Sequence, residues 1–254
     1  MHEDAEKLVA SLNLDLQSVR RARTKEIALE LLIDRLEANQ ILVSRSVRGF
    51  MPQILDGLHF SGMTVRDRKV PYIFLTGGDH GDFQEPPGRQ IFTLMLMTVL
   101  VARGIFAPVT YDANSIAPDA GREYDIVGEI LMPASELRVL HFDGLPAVKA
   151  AADAFMVTPS AITVRAMRLG KLSTETAVEY LGELQAEFRA RPKPGPRRQP
   201  KPVNAIRKYN GRALTTRMLR AVEEHRVPER EFCRVVCLNR ISPAELGDLK
   251  AALR

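Results

Sequence analysis

The chain has 254 residues, 45% of them hydrophobic and 26% charged, which is ordinary for a globular protein with a substantial core. Its net charge of +5 permits contact with nucleic acid or an acidic partner without requiring one. The first residues are charged rather than apolar, and the longest apolar run, residues 91–102, is shorter than a membrane span. These features argue against a secreted or membrane-spanning protein, and we expect a soluble, cytoplasmic one.

Helical and strand-like patterns follow one another through the first half of the chain. The predicted elements, in chain order, are helices within residues 1–40, strands over 41–44 and 70–75, and helices over 88–103 and 120–131. In the helix before the first strand, Glu37 is assigned to the solvent side. The segment with His80 between Asp79 and Asp82 is interpreted as a loop, because its spacing fits no strong metal motif. This order predicts an α+β domain over residues 1–135, mainly helical with a small sheet.

Two short helices around a turn are predicted within residues 145–172, and their spacing is similar to that of a helix-turn-helix unit. Arg165, Arg168 and Lys171 lie on or just after the second of these helices. Basic side chains at such positions are candidate contacts to nucleic acid. We therefore predict a helical, helix-turn-helix-like unit over residues 136–190.

A basic, proline-rich segment follows and is predicted as a linker over residues 191–203. Residues 189–202 hold five prolines and six basic residues, a composition that favours an extended, solvated chain. Arg197 and Arg198 are candidate phosphate contacts that would not depend on sequence. The six charges exceed the net charge of the whole chain, so the other residues, taken together, are close to neutral. A small C-terminal helical module is predicted over residues 204–254.

The two cysteines, Cys233 and Cys237, are four residues apart on a predicted helix, a spacing that suits neither a disulfide framework nor a zinc finger. His225 is near them in sequence, but three residues without a fourth ligand make a weak metal site. We therefore expect two buried free thiols in a reducing compartment.

The helix that begins Gly88-Arg89-Gln90-Ile91-Phe92-Thr93-Leu94 resembles the zinc-binding helix of the ImmA/IrrE-type metallopeptidases. In that family a similar Arg and Phe-Thr-Leu precede His-Glu-x-x-His, whose two His bind zinc while the Glu acts as general base. In this frame the two His positions hold Leu96 and Leu100, and the Glu position holds Met97. None of these three side chains can bind zinc or accept a proton.

The third zinc ligand of the family is a Glu thirteen residues before the Pro of a Leu-Leu-Met-Pro sequence. Here Ile130-Leu131-Met132-Pro133 matches the end of that motif, and the ligand position falls on Ala120. Asp119 and Glu123 are near enough for a slipped alignment to supply one carboxylate, but not the two His. Further matches follow the family's order at residues 36–43, 48–50, 70–75 and 151–169.

The resemblance implies a zincin-like peptidase frame without its metal site, and therefore no cofactor and no peptidase activity. Because family members typically recognise a small helix-turn-helix repressor, it also implies a regulatory protein that binds such a transcriptional regulator of a phage or mobile element. The alternative is a DNA-binding transcriptional regulator that uses the helix-turn-helix-like unit and the basic linker. We expect no membrane partner.

Overall fold

The computed structural model describes residues 1–51, 55, 60–67, 69–76, 85–110, 121–191 and 200–253. The N-terminal helices are α1 (His2–Leu12), α2 (Leu16–Arg20) and α3 (Lys25–Ala38). Side chains start the second and third of them, because Asp15 accepts the N–H of Ser18 and Thr24 accepts the N–H of Ile27. The predicted helical start of the chain is confirmed.

A four-stranded mixed sheet lies after these helices. Its strands are β1 (Leu42–Arg45), β2 (Phe60–Val65), β3 (Tyr72–Leu75) and β4 (Pro108–Thr110), in the spatial order β1-β3-β2-β4. Strands β1 and β3 run parallel, whereas β2 runs antiparallel to both of its neighbours. The two predicted strands, β1 and β3, are confirmed. Strands β2 and β4 were not predicted, since Ser61, Gly62 and Thr64 weaken the pattern of β2 and β4 is three residues long.

Helices form most of residues 87–190. They are α4 (Pro87–Ala102), α5 (Arg122–Leu131), α6 (Ala134–Arg138), α7 (Leu145–Ala154), α8 (Pro159–Arg168) and α9 (Thr174–Ala190). Helix α4 packs against β2 and β3 on one side and against α3 and α5 on the others. The prediction of an α+β fold, mainly helical with a small sheet, is confirmed.

One hydrophobic core continues from the N-terminal helices through α8. It contains Leu32 and Leu36 of α3, Met95 of α4 and also Ile162 and Ala166 of α8. Residues on both sides of the predicted boundary at residue 135 therefore share the same core. Within the described ranges, no helix is both long enough and apolar enough to cross a bilayer.

The C-terminal module has a core of its own. It begins at Pro202, inside the predicted linker, and its helices are α10 (Pro202–Asn210), α11 (Arg212–Glu223), α12 (Glu229–Val235) and α13 (Leu246–Leu253). Phe232, Cys237 and Leu249 are fully buried at its centre. Residues 192–199, which include most of the predicted linker, lie outside the described residues.

The C-terminal module packs against β1 and α3. The hydroxyl of Ser44 on β1 donates to the carbonyl of Tyr209, and the N–H of Ala213 donates to the carboxylate of Glu37 over 2.9 Å. The Arg240 guanidinium lies 5.6 Å from the centre of the Phe50 ring. Polar and apolar contacts thus hold the module on an edge strand of the sheet.

Candidate functional site

Helix α4 carries the positions that the resemblance assigns to the zinc motif, and the side chains there are apolar. Leu96 is 4% exposed and Met97 is completely buried, whereas Leu100 is half-buried against the main core. Leu96 and Leu100 lie one helical turn apart, as two metal-binding His residues would. Burying such a side chain contributes about 1.5–3 kcal/mol, so these positions stabilise the helix packing.

Met97 packs directly onto the sheet. A Cβ atom added at Gly62 of β2 would lie 2.8 Å from both Sδ and Cε of Met97 and 2.6 Å from the carbonyl oxygen of Phe74. Only glycine leaves room for the thioether at this point. The position that the resemblance assigns to a general base is therefore a close contact between helix and strand.

The remaining candidates for metal ligands do not form a site in the described part of the chain. Ala120 and Asp119, like His80 and its loop, lie outside the described residues. Glu123 forms an ion pair with Arg103 at the end of α4. No three described His, Cys, Asp or Glu residues are grouped so that they could hold a metal ion.

Both cysteines are buried in the core of the C-terminal module and are free thiols, whereas His225 is exposed. Burial raises the pKa of the Cys237 thiol to about 12, with the neighbouring Cys233 as a smaller cause. The pKa of Cys233 is also raised, again mainly by burial. Thiols that stay protonated are poor ligands and poor nucleophiles, so a structural role fits both of them.

The helix-turn-helix-like unit corresponds to α7 and α8, but α8 does not present a free face. Every residue from Pro159 to Arg168 is buried or half-buried. The neighbours α7 and α9 both pack against this helix, and its side chains Ile162 and Ala166 belong to the main core. A recognition helix must expose the face that enters the major groove. The packing of α8 therefore does not suit DNA reading.

The candidate nucleic-acid contacts on and after α8 bind other parts of the protein instead. Arg165 is 8% exposed, forms an ion pair with Glu129 of α5 and donates to the carbonyl of Met132 over 3.3 Å. A Cβ at Gly128 would lie 3.2 Å from the Arg165 side chain, so the small residue leaves room for it. Arg165 is an internal connection between α5 and α8.

The other two described basic candidates, Arg168 and Lys171, also contact other parts of the protein. Arg168 forms an ion pair with Asp125 of α5 at 2.9 Å, and Lys171 donates to the carbonyl of Arg138 at 2.9 Å. Arg197 and Arg198 lie outside the described residues. The described basic side chains of the helix-turn-helix-like unit thus stabilise its packing on α5 and α6.

Two buried carboxylates were missed by the sequence reasoning. Glu37 is 5% exposed, so its assignment to the solvent side was wrong. Its position four residues after Ile33 places it on the buried face of α3, and this spacing was a usable signal. Burial raises the pKa of Glu37, although the N–H of Ala213 opposes the shift. Burial likewise raises the pKa of Glu85, whose carboxylate accepts the Ser61 hydroxyl at 2.7 Å.

The distribution of charge is the second signal that was missed. Residues 189–254 contain 17 of the 36 basic residues but only 6 of the 31 acidic ones, which gives this part a net charge of +11. Residues 1–188 carry a net charge of −6. The near-neutral charge of the chain outside the linker is therefore the sum of an acidic part and a basic C-terminal module. Such asymmetry is typical of proteins with a polyanionic partner.

Comparisons with models of protein families, with curated proteins and with solved structures find no match for the chain.

Proposed function

We propose that this protein is a non-catalytic relative of the ImmA/IrrE-type metallopeptidases that regulates transcription by binding a small helix-turn-helix regulator. The observation that carries the proposal is the packing of Met97 against Gly62, with the buried Leu96 beside it. Where the family would need two imidazoles, a carboxylate and water, this chain has a dry contact between helix and strand. A domain stabilised in this way keeps a surface that binds the regulator but lacks the residues needed to cleave it.

An exposed apolar pair on α3 offers a contact surface for the proposed partner. Ile27 is 45% exposed and Leu31 is 40% exposed, and they lie one helical turn apart on the same face. The buried face of α3 holds this pair rigidly, because Ala28, Leu32 and Leu36 anchor the helix in the main core. Apolar side chains at the centre of an interface provide binding that is little affected by salt.

The alternative of DNA reading by the helix-turn-helix-like unit has less support. Its second helix has no exposed residue, and Arg165 and Arg168 form ion pairs with α5. Reading of bases would require α8 to leave the core and both ion pairs to break. Protein binding requires no such rearrangement.

The test is purification of the tagged full chain from its native host, followed by identification of bound proteins. We expect a small helix-turn-helix protein that remains bound at about 0.5 M salt. Exposed charge pairs are strongly screened under those conditions, whereas an apolar contact is little affected. The double variant Ile27→Glu, Leu31→Glu should lose this partner. Val178→Glu, at an exposed apolar residue on α9, is the matched control and should retain it.

Two results would reject the proposal. One is about one zinc ion per chain in protein purified without chelator, since the proposal assigns apolar side chains to the positions of the metal ligands. The other is recovery of the same proteins with the wild type and with the Ile27→Glu, Leu31→Glu variant, which would show that the α3 surface does not select a partner.

A further inference from the structure

A long stretch of the chain contains basic residues and no acidic ones. Between Phe188 and Glu223, residues 189–222 include eleven Lys and Arg and no Asp or Glu. The structure describes residues 189–191 of this stretch, at the end of α9, and residues 200–222, which form α10 and most of α11. Positive charge is therefore concentrated on two adjacent helices of a folded module.

The basic side chains lie on the outer faces of these helices. Ile206 of α10 and Leu219 and Val222 of α11 are buried in the core of the module, so the apolar faces are occupied. Arg217 and Arg220 lie three residues apart on the opposite, exposed face of α11. On α10 and at the start of α11, the exposed basic residues are Lys201, Arg207 and Arg212.

The ion pairs on this face are weak competitors for a polyanion. The Arg220 side chain is 77% exposed and pairs with Glu224 over 3.1 Å within the same helix. Exposed pairs of this kind contribute about 0–1 kcal/mol, so a phosphate can replace the carboxylate at low cost. Arg207 donates to the carbonyl of Ala252 and Arg212 to that of Leu253, so contacts with the end of α13 fix the positions of both side chains.

The chemistry of the face favours nucleic acid over a lipid bilayer. Four of the six basic residues within 200–222 are Arg, whose planar guanidinium binds phosphate oxygens through two parallel hydrogen bonds. The large apolar side chains that are exposed elsewhere in the described chain have no counterpart within residues 200–222. A surface helix that inserts into a bilayer needs such side chains.

We propose that the exposed face of α10 and α11 binds the phosphate backbone of double-stranded DNA without reading its sequence. This inference goes beyond binding of a protein regulator and does not depend on it. Each basic residue that neutralises a phosphate releases a counterion, so affinity falls steeply as salt rises. Binding of this kind would hold the chain near DNA-bound regulators.

The experiment measures binding of the purified full chain to two unrelated duplexes of about 25 base pairs, by fluorescence anisotropy, between about 50 and 200 mM salt. We expect equal affinity for both duplexes and a linear fall of log affinity with log salt. The variant Arg217→Ala, Arg220→Ala should weaken binding about tenfold and reduce the magnitude of the salt slope by about 1–2. Arg217→Lys, Arg220→Lys should retain most of the affinity.

The matched control removes the same charge from the acidic part of the chain. Arg21 and Arg23 are exposed residues between α2 and α3, and Arg21→Ala, Arg23→Ala should leave affinity unchanged within about twofold. Equal weakening by both double variants would overturn the proposal, as would failure of the full chain to bind either duplex. Much tighter binding to one duplex would show sequence reading and would also overturn it.

A membrane partner is tested in parallel with vesicles that contain anionic phospholipid. If the full chain binds these vesicles but neither duplex, and Arg217→Ala, Arg220→Ala abolishes that binding, the surface is specific for lipid and the DNA proposal fails. The outcome of either binding assay leaves the co-purification of a protein regulator unaffected, so the two proposals are tested separately.

Discussion

Glu37 has an ionisable side chain that is buried, and burial disfavours its charged form. Its carboxylate lies between α3 and the start of α11, where it accepts the N–H of Ala213, and burial raises its pKa above the ordinary value of 4.5. A raised pKa means that the folded state binds a proton more tightly than the unfolded state. The stability that this provides is fully present below about pH 4.5 and is lost as pH rises through the folded-state pKa.

The variant Glu37→Gln tests this pH dependence. Gln has no ionisable group but can still accept the Ala213 N–H, so the variant should gain stability relative to the wild type as pH rises. Urea unfolding of both proteins at about pH 4.5 and about pH 7.5 gives the difference in free energy of unfolding at each pH. A difference that stays constant, or that moves in favour of the wild type at higher pH, would contradict a raised pKa.

Arg165 permits a second test at the scale of one residue. Arg165→Ala would remove the ion pair of the half-buried Glu129 and leave it only the exposed His2 and the N–H of Ala134 as partners, and we expect a loss of about 3 kcal/mol in the free energy of unfolding. Arg168→Ala, which breaks a more exposed pair on the same helix, should cost about 1 kcal/mol. Urea unfolding measures both, and replacing Arg165 and Glu129 together by Met and Leu should recover much of the loss. If both single variants lose small and equal amounts of stability, the ion pair with Glu129 contributes little. Arg165 would then be available for an external contact.

The sequence contained part of this information about single residues. It predicted that Leu96, Met97 and Leu100 lie on a buried apolar helix, and the structure places all three within α4. The partner of Arg165 could not, because Glu129 is 36 residues away in the sequence and the ion pair depends on how α5 and α8 pack. Local periodicity places a side chain on a face of its helix but does not show which element covers that face.

Among the elements, α4 combines the strongest sequence pattern with the most complete burial. Its apolar residues predicted a buried helix, and the structure confirms one from Pro87 to Ala102. Strands β2 and β4 were missed because short strands with Gly, Ser or Pro depend on pairing with distant partners. Helices α7 and α8 were predicted correctly as elements, but their spacing did not show that α8 is enclosed.

The contact between α4 and the sheet predicts the effect of restoring the family's Glu. Met97→Glu would place a carboxylate against Gly62 and the main core, and we expect the free energy of unfolding to fall by more than about 3 kcal/mol. Met97→Leu, which nearly conserves volume, should cost less than about 1.5 kcal/mol. Urea unfolding compares the two variants. If Met97→Glu were as stable as Met97→Leu, this position would be hydrated and the proposed dry contact would be wrong.

At the scale of the whole molecule, the C-terminal module covers an edge of the sheet. Strand β1 is at one end of the order β1-β3-β2-β4, and α10 packs beside it. Exposed edge strands invite pairing with other chains, and a packed helix prevents this. The sequence predicted the module as a separate helical unit, and its core is indeed separate. Its attachment to β1 and α3 could not be predicted, because it rests on isolated contacts such as Ser44 with Tyr209.

At Gly211 the module packs so closely against β1 and α3 that a side chain has no room. This glycine lies between α10 and α11 with φ of +78°, and a Cβ there would collide with the carbonyl of Val43 and the carboxylate of Glu37. Gly211→Ala should therefore loosen the module from β1 as well as strain the backbone. We expect a fall in the free energy of unfolding and faster hydrogen exchange in peptides that contain β1, because the packed module protects that strand.

Gly170→Ala is the control for a positive φ without a collision, and its backbone strain is the smaller of the two because Gly211 also has a ψ of 161°. Gly170 has a φ of +70°, close to that of Gly211, but a Cβ there would meet nothing within 4 Å. The control should lose only about 1–2 kcal/mol from left-handed backbone strain and leave exchange in β1 unchanged. If Gly211→Ala behaves as this control does in both measurements, the module is not held against β1 by the contacts around Glu37. A larger loss together with faster exchange in β1 would identify Gly211 as the residue that permits the attachment.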